Sequence, residues 1–240
     1  MKALIYIPLY NILIFLYVFV RDMGVSVVLL TVLVRIALLK PSIKAEKSRL
    51  ALQKLNPEIE KIKKQHKDNK EKQTKATLEL YQKKGINPFS SCLPTLFQLP
   101  FLIGLFVVFR EGLKNGFPLY EPVKNLVSNL TISSTSFGVL DLTKAPNQGA
   151  LLILPILAAG LQYIQSKMMF SQAGTSSKSP MNYTILLLPA ITLWFTLSFP
   201  SALSLYWIAT TLFAIAQQYV IDYELKKADD KLISSKESKK

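Results

Sequence analysis

The sequence predicts an all-α membrane protein, five transmembrane helices with a cytoplasmic antiparallel helical hairpin between the first two. Three observations carry this. Five apolar stretches, at 23–41, 89–110, 149–170, 183–199 and 201–221, have roughly the length a helix rising about 1.5 Å per residue needs to cross about 30 Å of hydrocarbon. Positive charge is concentrated: 14 of the 29 Lys and Arg lie between Lys40 and Lys84, against six Asp and Glu, and such a block belongs on the cytoplasmic side. Half of the 240 residues are hydrophobic, too many for an ordinary soluble domain, yet the net charge of +14 demands polar segments, so the chain is divided between two environments. Cys92 is the only cysteine, which excludes an internal disulfide and a cysteine metal cluster.

Residues 1–22 hold an apolar stretch interrupted by Pro8, and no small-residue cleavage site follows it, which argues against removal as a signal. Tyr10 and Tyr17 fall on one helical face, as aromatic residues at headgroup level do. An N-terminal interfacial helix is therefore expected, with a spanning helix as the alternative. The turn Arg21-Asp22-Met23-Gly24 leads into the first span.

That span, 23–41, carries Arg35 about two-thirds of the way along. An unpaired guanidinium in hydrocarbon costs about 2.5 to 3.5 kcal/mol on insertion scales, so it needs water, a partner or an escape route. Snorkelling towards the Lys40 end is one solution. Thr31 and Ser42 share its helical face and offer the other, a polar stripe facing a wet cavity.

From 42 to 88 the composition turns to Lys, Glu, Gln and Leu. Leu52, Leu55, Ile59 and Ile62 make a narrow helical seam, Thr74, Leu78 and Tyr81 a weaker one, and the polar turn Lys67-Asp-Asn-Lys70 separates them. This spacing predicts the hairpin; a solvated arm without a partner is the bland alternative, and His66 near the tip reads as solvent-exposed.

In the second span, 89–110, Pro94 and Pro100 each remove a backbone donor, so the helix must bend or find compensation. Ser91, Thr95 and Gln98 share a face that serves either a polar wall or helix-to-helix hydrogen bonds. Residues 111–148 form a mixed loop without basic excess, as on an outer face. The third span, 149–170, carries Gln162 and Gln165. A short cytoplasmic connection, 171–182, precedes spans 183–199 and 201–221, which flank Pro200 and must form a tight hairpin. Ser204, Trp207, Thr211 and Gln218 share one face of the last span. The basic tail 222–240 also holds Asp and Glu and reads as a disordered, solubilising end. Counting alternations from a cytoplasmic hairpin places the N-terminus outside and the C-terminus in the cytoplasm.

The segment Thr31-Val-Leu-Val-Arg35, the basic hairpin, Asn87-Pro-Phe-Ser-Ser-Cys-Leu-Pro-Thr-Leu-Phe-Gln-Leu-Pro100, and Phe199-Pro-Ser-Ala-Leu-Ser-Leu-Tyr-Trp207 followed by Gln217-Gln218 together resemble the YidC/Oxa family of membrane protein insertases. The resemblance runs from roughly Pro8 to Lys227, and its most specific part is the Asn-Pro…Pro…Gln-x-Pro element after a charged hairpin. It implies a minimal bacterial core, without the large outer domain of some members. It also implies a five-helix bundle with a hydrophilic groove, open to the cytoplasm and sideways to lipid but closed to the outside. By match of position Arg35 is the groove arginine, Thr31, Gln98, Tyr206 and Trp207 are wall residues, and Gln162 and Gln165 are weaker candidates. The implied setting is the bacterial inner membrane, and the implied substrates are nascent membrane proteins. A Sec-type translocon and the ribosome are candidate further partners; DNA and cofactors are not expected.

Three rivals are weighed against that function. An ion channel or secondary transporter is the main one, but no Asp or Glu lies within any of the five apolar stretches, so a carboxylate relay has no parts, and no inverted repeat is visible. An intramembrane enzyme lacks a histidine, a carboxylate pair and a Gly-rich phosphate loop in those stretches. A membrane chaperone without insertion activity would use the same bundle.

Overall fold

The computed structural model describes residues 5–87, 93–128, 130–138, 140–146, 149–171 and 181–237. Pro88, Ser91 and Cys92, most of the 171–182 connection, and Lys239 and Lys240 lie outside these residues, and the Thr95 side chain is likewise outside the description.

Prolines and caps divide the first half of the chain. Helix α1 (Ile7–Val20) has Pro8 in its first turn and ends at Arg21, whose left-handed backbone, φ 61°, returns its N–H to the Tyr17 carbonyl at 2.8 Å. Asp22 then caps α2 (Met23–Ala37) by accepting from Val25 N at 2.9 Å. The helix stops short of the expected boundary at 41 because Pro41 offers no N–H and its ring crowds the carbonyl of Ala37. The chain breaks at Leu38 and restarts as α3 (Leu39–Lys54), bent by 68°. Pro57 repeats the device at Leu55, where α4 (Asn56–Gln65) begins.

Asn69 caps α5 (Lys70–Lys83), which returns antiparallel to α4: Gln73 Nε2 donates to the His66 carbonyl at 2.6 Å, and Lys84 Nζ meets Glu58 Oε1 at 3.1 Å. His66 is half-buried at this turn, not fully exposed as expected. The hairpin proper is α4 and α5, while α3 packs against α6 (Leu93–Val107) and against the last helix, α11 (Ser201–Glu237).

Helix α6 carries Pro100 and widens at Val108–Gly112 before a last short turn, α7 (Leu113–Asn115). The outer loop holds α8 (Glu121–Val127) and a two-stranded antiparallel ribbon of β1 (Thr135–Ser136) and β2 (Leu140–Asp141). A tight turn at Gly149–Leu152 opens α9 (Ile153–Ser171), followed by α10 (Met181–Ser198) and α11 (Ser201–Glu237). The last helix corrects the expectation of a disordered tail from 222. With neither Gly nor Pro between 201 and 237, and with Ala, Leu, Lys and Glu in plenty, nothing interrupts the helix at the end of its apolar part. Among the described residues no single helix is long and apolar enough to cross a membrane; α2 and α3 pass together across their bend.

The hydrophobic core occupies one end of the bundle. It joins Leu13, Ile14 and Tyr17 of α1 to Met23, Val27 and Leu30 of α2, to Leu105, Val108 and Phe109, and to Ala202, Leu203 and Tyr206 at the start of α11. Tyr10 and Tyr17, expected at headgroup level, are each only 4% exposed. Their face of α1 is covered by α2 and by the outer loop: Tyr10 packs edge-on against Phe117 at 5.5 Å, and the Tyr17 hydroxyl accepts from Ser133 N at 3.0 Å.

The outer loop is clasped to the same end. Ser201 N and Oγ donate to the Lys144 carbonyl at 2.8 and 2.7 Å, and Ala202 N donates to Leu142 O at 3.1 Å, so the loop supplies acceptors for the first N–H groups of α11. Asp22 holds the ribbon by accepting from Ser136 Oγ at 2.8 Å and Phe137 N at 2.5 Å. Gly24 makes this approach possible: a Cβ there would lie 2.2 Å from Ser136 Oγ and 2.7 Å from Ser136 Cβ. Helix propensity alone would make Gly24→Ala stabilising by up to about 1 kcal/mol. The collision reverses the sign, and thermal unfolding in detergent should report a loss of about 2 kcal/mol.

Burial pushes the Asp22 carboxyl up, but donation from Phe137, Val25, Ser136 and Gly24 outweighs it and holds the group below the ordinary carboxylate range. Because the folded value is depressed, the clasp contributes stability that is full above the unfolded pKa of about 3.9 and is lost as pH falls through the folded value. Hydrogen exchange at the Phe137 amide checks this. Its protection factor is expected to fall below about pH 4 in the wild type and to show no such acid step in Asp22→Asn.

Candidate functional site

At the opposite end from the core, where α2 bends into α3, the bundle opens into a cavity of about 230 Å³. It is lined by Arg35, by Ser42, Glu46 and Arg49 of α3, by Gln165 and Met169 of α9, and by Gln217 and Gln218 of α11. The bend creates it. A straight continuation of α2 would carry residues 42–49 away along the same axis, whereas the 68° turn swings them across the end of α9 and the middle of α11. Three hydrogen bonds hold α3 there: Arg49 Nη1 and Gln53 Nε2 both donate to the Met169 carbonyl, at 3.0 and 2.8 Å, and Ser42 Oγ meets Gln217 Oε1 at 3.1 Å.

Of the residues singled out in the sequence, Arg35, Ser42, Gln165, Gln217 and Gln218 meet in this cavity. Arg35 is half-buried, and among the described residues it has no ion-pair partner; the Tyr206 hydroxyl lies within electrostatic reach of its guanidinium. Tyr206 is 2% exposed and stacks obliquely on Phe101 at 5.6 Å. Trp207 and Gln162 form a separate pair, Nε1 to Oε1 at 3.2 Å. Thr31 is buried with its hydroxyl bonded to the Val27 carbonyl of its own helix at 2.7 Å. Gln98 is half-buried on α6 and is not among the described residues that line the cavity.

The interior beside the cavity is polar and undersatisfied. Gln218 Nε2 on α11 and Ser166 Oγ on α9 are buried without a hydrogen-bond partner among the described residues, and Ser204 Oγ is likewise unpartnered further along α11, towards the core. A buried polar atom left unpaired costs about 1–3 kcal/mol, a cost that a water reaching it would offset. Among the described residues lining it, the arrangement holds no nucleophile–base pair. Its chemistry is a fixed positive charge in a polar recess, suited to stabilising an anion or a polar chain segment without covalent change.

The model of the 60Kd inner membrane protein family matches residues 15–228, most of the chain. This chain belongs to the YidC/Oxa family. The YidC-family chain is 33% identical over 203 residues to the membrane protein insertase YidC of Fusobacterium nucleatum subsp. nucleatum, covering 85% of this chain and 87% of that protein. It is 34% identical over 203 residues to the membrane protein insertase MisCA of Bacillus subtilis, covering 82% and 69%. It is 35% identical over 212 residues to the membrane protein insertase YidC 2 of Bacillus anthracis, covering 86% and 74%. A crystal structure of an active YidC insertase with its first transmembrane domain resolved matches with a TM-score of 0.63 at 24% identity, over 91% of this chain and 46% of that one.

Sequence reasoning singled out Arg35 in this YidC-family chain but passed over Glu46, Arg49 and the Met169 carbonyl. A signal was present. Ser42 and Arg49 lie seven residues apart, two turns on one face of α3, and Ser42 lies seven residues after Arg35. It was masked because Glu46 and Arg49 sit within a run of charges that reads as a solvated arm.

Proposed function

We propose that this protein inserts nascent membrane proteins into the bacterial inner membrane, and assists their folding, through a hydrated groove around Arg35 that opens to the cytoplasm and to lipid. The observation that carries the reading is polarity segregated along the bundle: a dry core and clasped loop at one end, an arginine-bearing polar cavity at the end where the basic hairpin emerges. In this reading the hairpin and C-terminus are cytoplasmic, the N-terminus and the 111–148 loop are outside, and α2, α6, α9, α10 and the apolar part of α11 are the five crossings. Large apolar side chains left on the surface support the crossings, among them Ile156, Leu186, Leu187 and Trp194 at 63%, 67%, 56% and 68% exposed, since lipid covers such surface and water does not.

The physical difficulty of insertion is that the polar tail ahead of a new transmembrane segment must pass hydrocarbon, where each unsatisfied backbone group costs several kcal/mol. A wet recess reaching partway across shortens that passage. Arg35 holds water in it and attracts an acidic or polar tail, while the apolar segment leaves sideways into lipid. Burial of that segment, at about 25 cal/mol per Å² of apolar area, supplies the driving force, so no nucleotide is consumed. A Sec-type translocon and a ribosome meeting the basic tail belong to the same proposal as further partners.

The test is insertion of a small single-span substrate into liposomes containing only this protein. Protease protection of the translocated tail above the level of empty liposomes is expected. No gain over empty liposomes, or a selective ion flux through the same vesicles, overturns the reading.

A further inference from the structure

Among the described residues that line the cavity, two guanidiniums and one carboxylate carry charge, and the two guanidiniums are not equivalent. Each nitrogen of the Arg49 guanidinium group is engaged: Nε with Glu46 Oε2 at 3.0 Å, Nη2 with Glu46 Oε1, and Nη1 with the Met169 carbonyl at 3.0 Å. Both side chains are largely withdrawn from solvent, Arg49 at 14% and Glu46 at 19% exposed. The pair is bidentate, which satisfies both carboxylate oxygens at once, and it joins positions i and i+3 of one helix. Arg35 has no such partner among the described residues.

We propose that Glu46 sets the charge selectivity of the cavity. By occupying Arg49 it leaves Arg35 as the one open cationic position, so the cavity receives one acidic group of an incoming chain and not two. This rests on the reading of Arg35 as the point where substrate tails are received. Removing Glu46 leaves a doubly cationic cavity. Removing Arg49 does the reverse, releasing a carboxylate that competes with the substrate for Arg35.

The experiment uses the full chain in liposomes with a single-span substrate whose translocated tail carries no, one or two aspartates. The wild type is expected to insert the one-aspartate tail best. Glu46→Gln moves the optimum to two aspartates, raising the two-to-one insertion ratio about fivefold, and Arg49→Gln lowers the preference for an aspartate over none about fivefold, as one unit charge added or unmasked at close range would. Should Glu46→Gln fail to reconstitute, Arg49→Gln decides alone. An unchanged ranking in the single variants that do reconstitute, with Arg35→Ala still flattening the series, overturns the role of Glu46 only. A series that Arg35→Ala leaves untouched overturns the groove reading as well.

Discussion

Arg35→Ala is expected to slow insertion of substrates with charged or polar outer tails about tenfold, equivalent to about 1.4 kcal/mol of barrier, and Arg35→Lys to retain most of the activity. The argument is electrostatic. Two unit charges 4 Å apart interact by about 4 kcal/mol at an effective dielectric of 20 and about 1 kcal/mol in water, and in the proposed hydrated recess the figure falls towards the lower value. Alanine loses that attraction and also the group that makes the recess worth hydrating. Lysine preserves the charge, and Arg49 and Ser42, not Arg35, hold α3 to its neighbours, so no anchoring contact is lost. Initial rates in vesicles containing each of the three proteins check this. Equal rates for all three would leave the arginine without a part in insertion.

The second large effect is on stability. Asn11 is 2% exposed, donates to the Ile7 and Pro118 carbonyls at 2.9 and 3.0 Å, and accepts from Tyr120 N at 2.7 Å. It is a buried polar staple between α1 and the start of the outer loop. Asn11→Leu keeps the volume but removes the hydrogen bonds to the exposed residues 118 and 120, each worth about 0.5–1.5 kcal/mol, for a total of about 2 kcal/mol. Against a folding stability of about 5–15 kcal/mol that is a large fraction. The variant should unfold at lower temperature in detergent and expose the segment around α8 to protease under conditions where the wild type resists. An unchanged melting temperature would show that the loop is held by other means.

Asn11 also illustrates what a linear reading misses. It lies in an apolar run, and nothing in its spacing says that residues more than a hundred positions away will come to it. Arg35 was legible for the opposite reason: a charge within an apolar stretch is costly in any arrangement, so its oddity does not depend on knowing the neighbours. Gly24 lies between these cases, since its lack of a side chain acquires meaning only when Ser136 is found against it.

Composition and periodicity by themselves determined the helical class, the helical segments, the charged hairpin and the suspicion attached to Arg35, because burial of apolar surface and the cost of stranded charge are properties of short segments. The tertiary structure alone decided that Arg49 and Glu46 join Arg35 in one cavity, and that Asn11 and Asp22 clasp the outer loop. These depend on which distant groups satisfy one another's hydrogen bonds and charges, a pairing that local sequence does not contain.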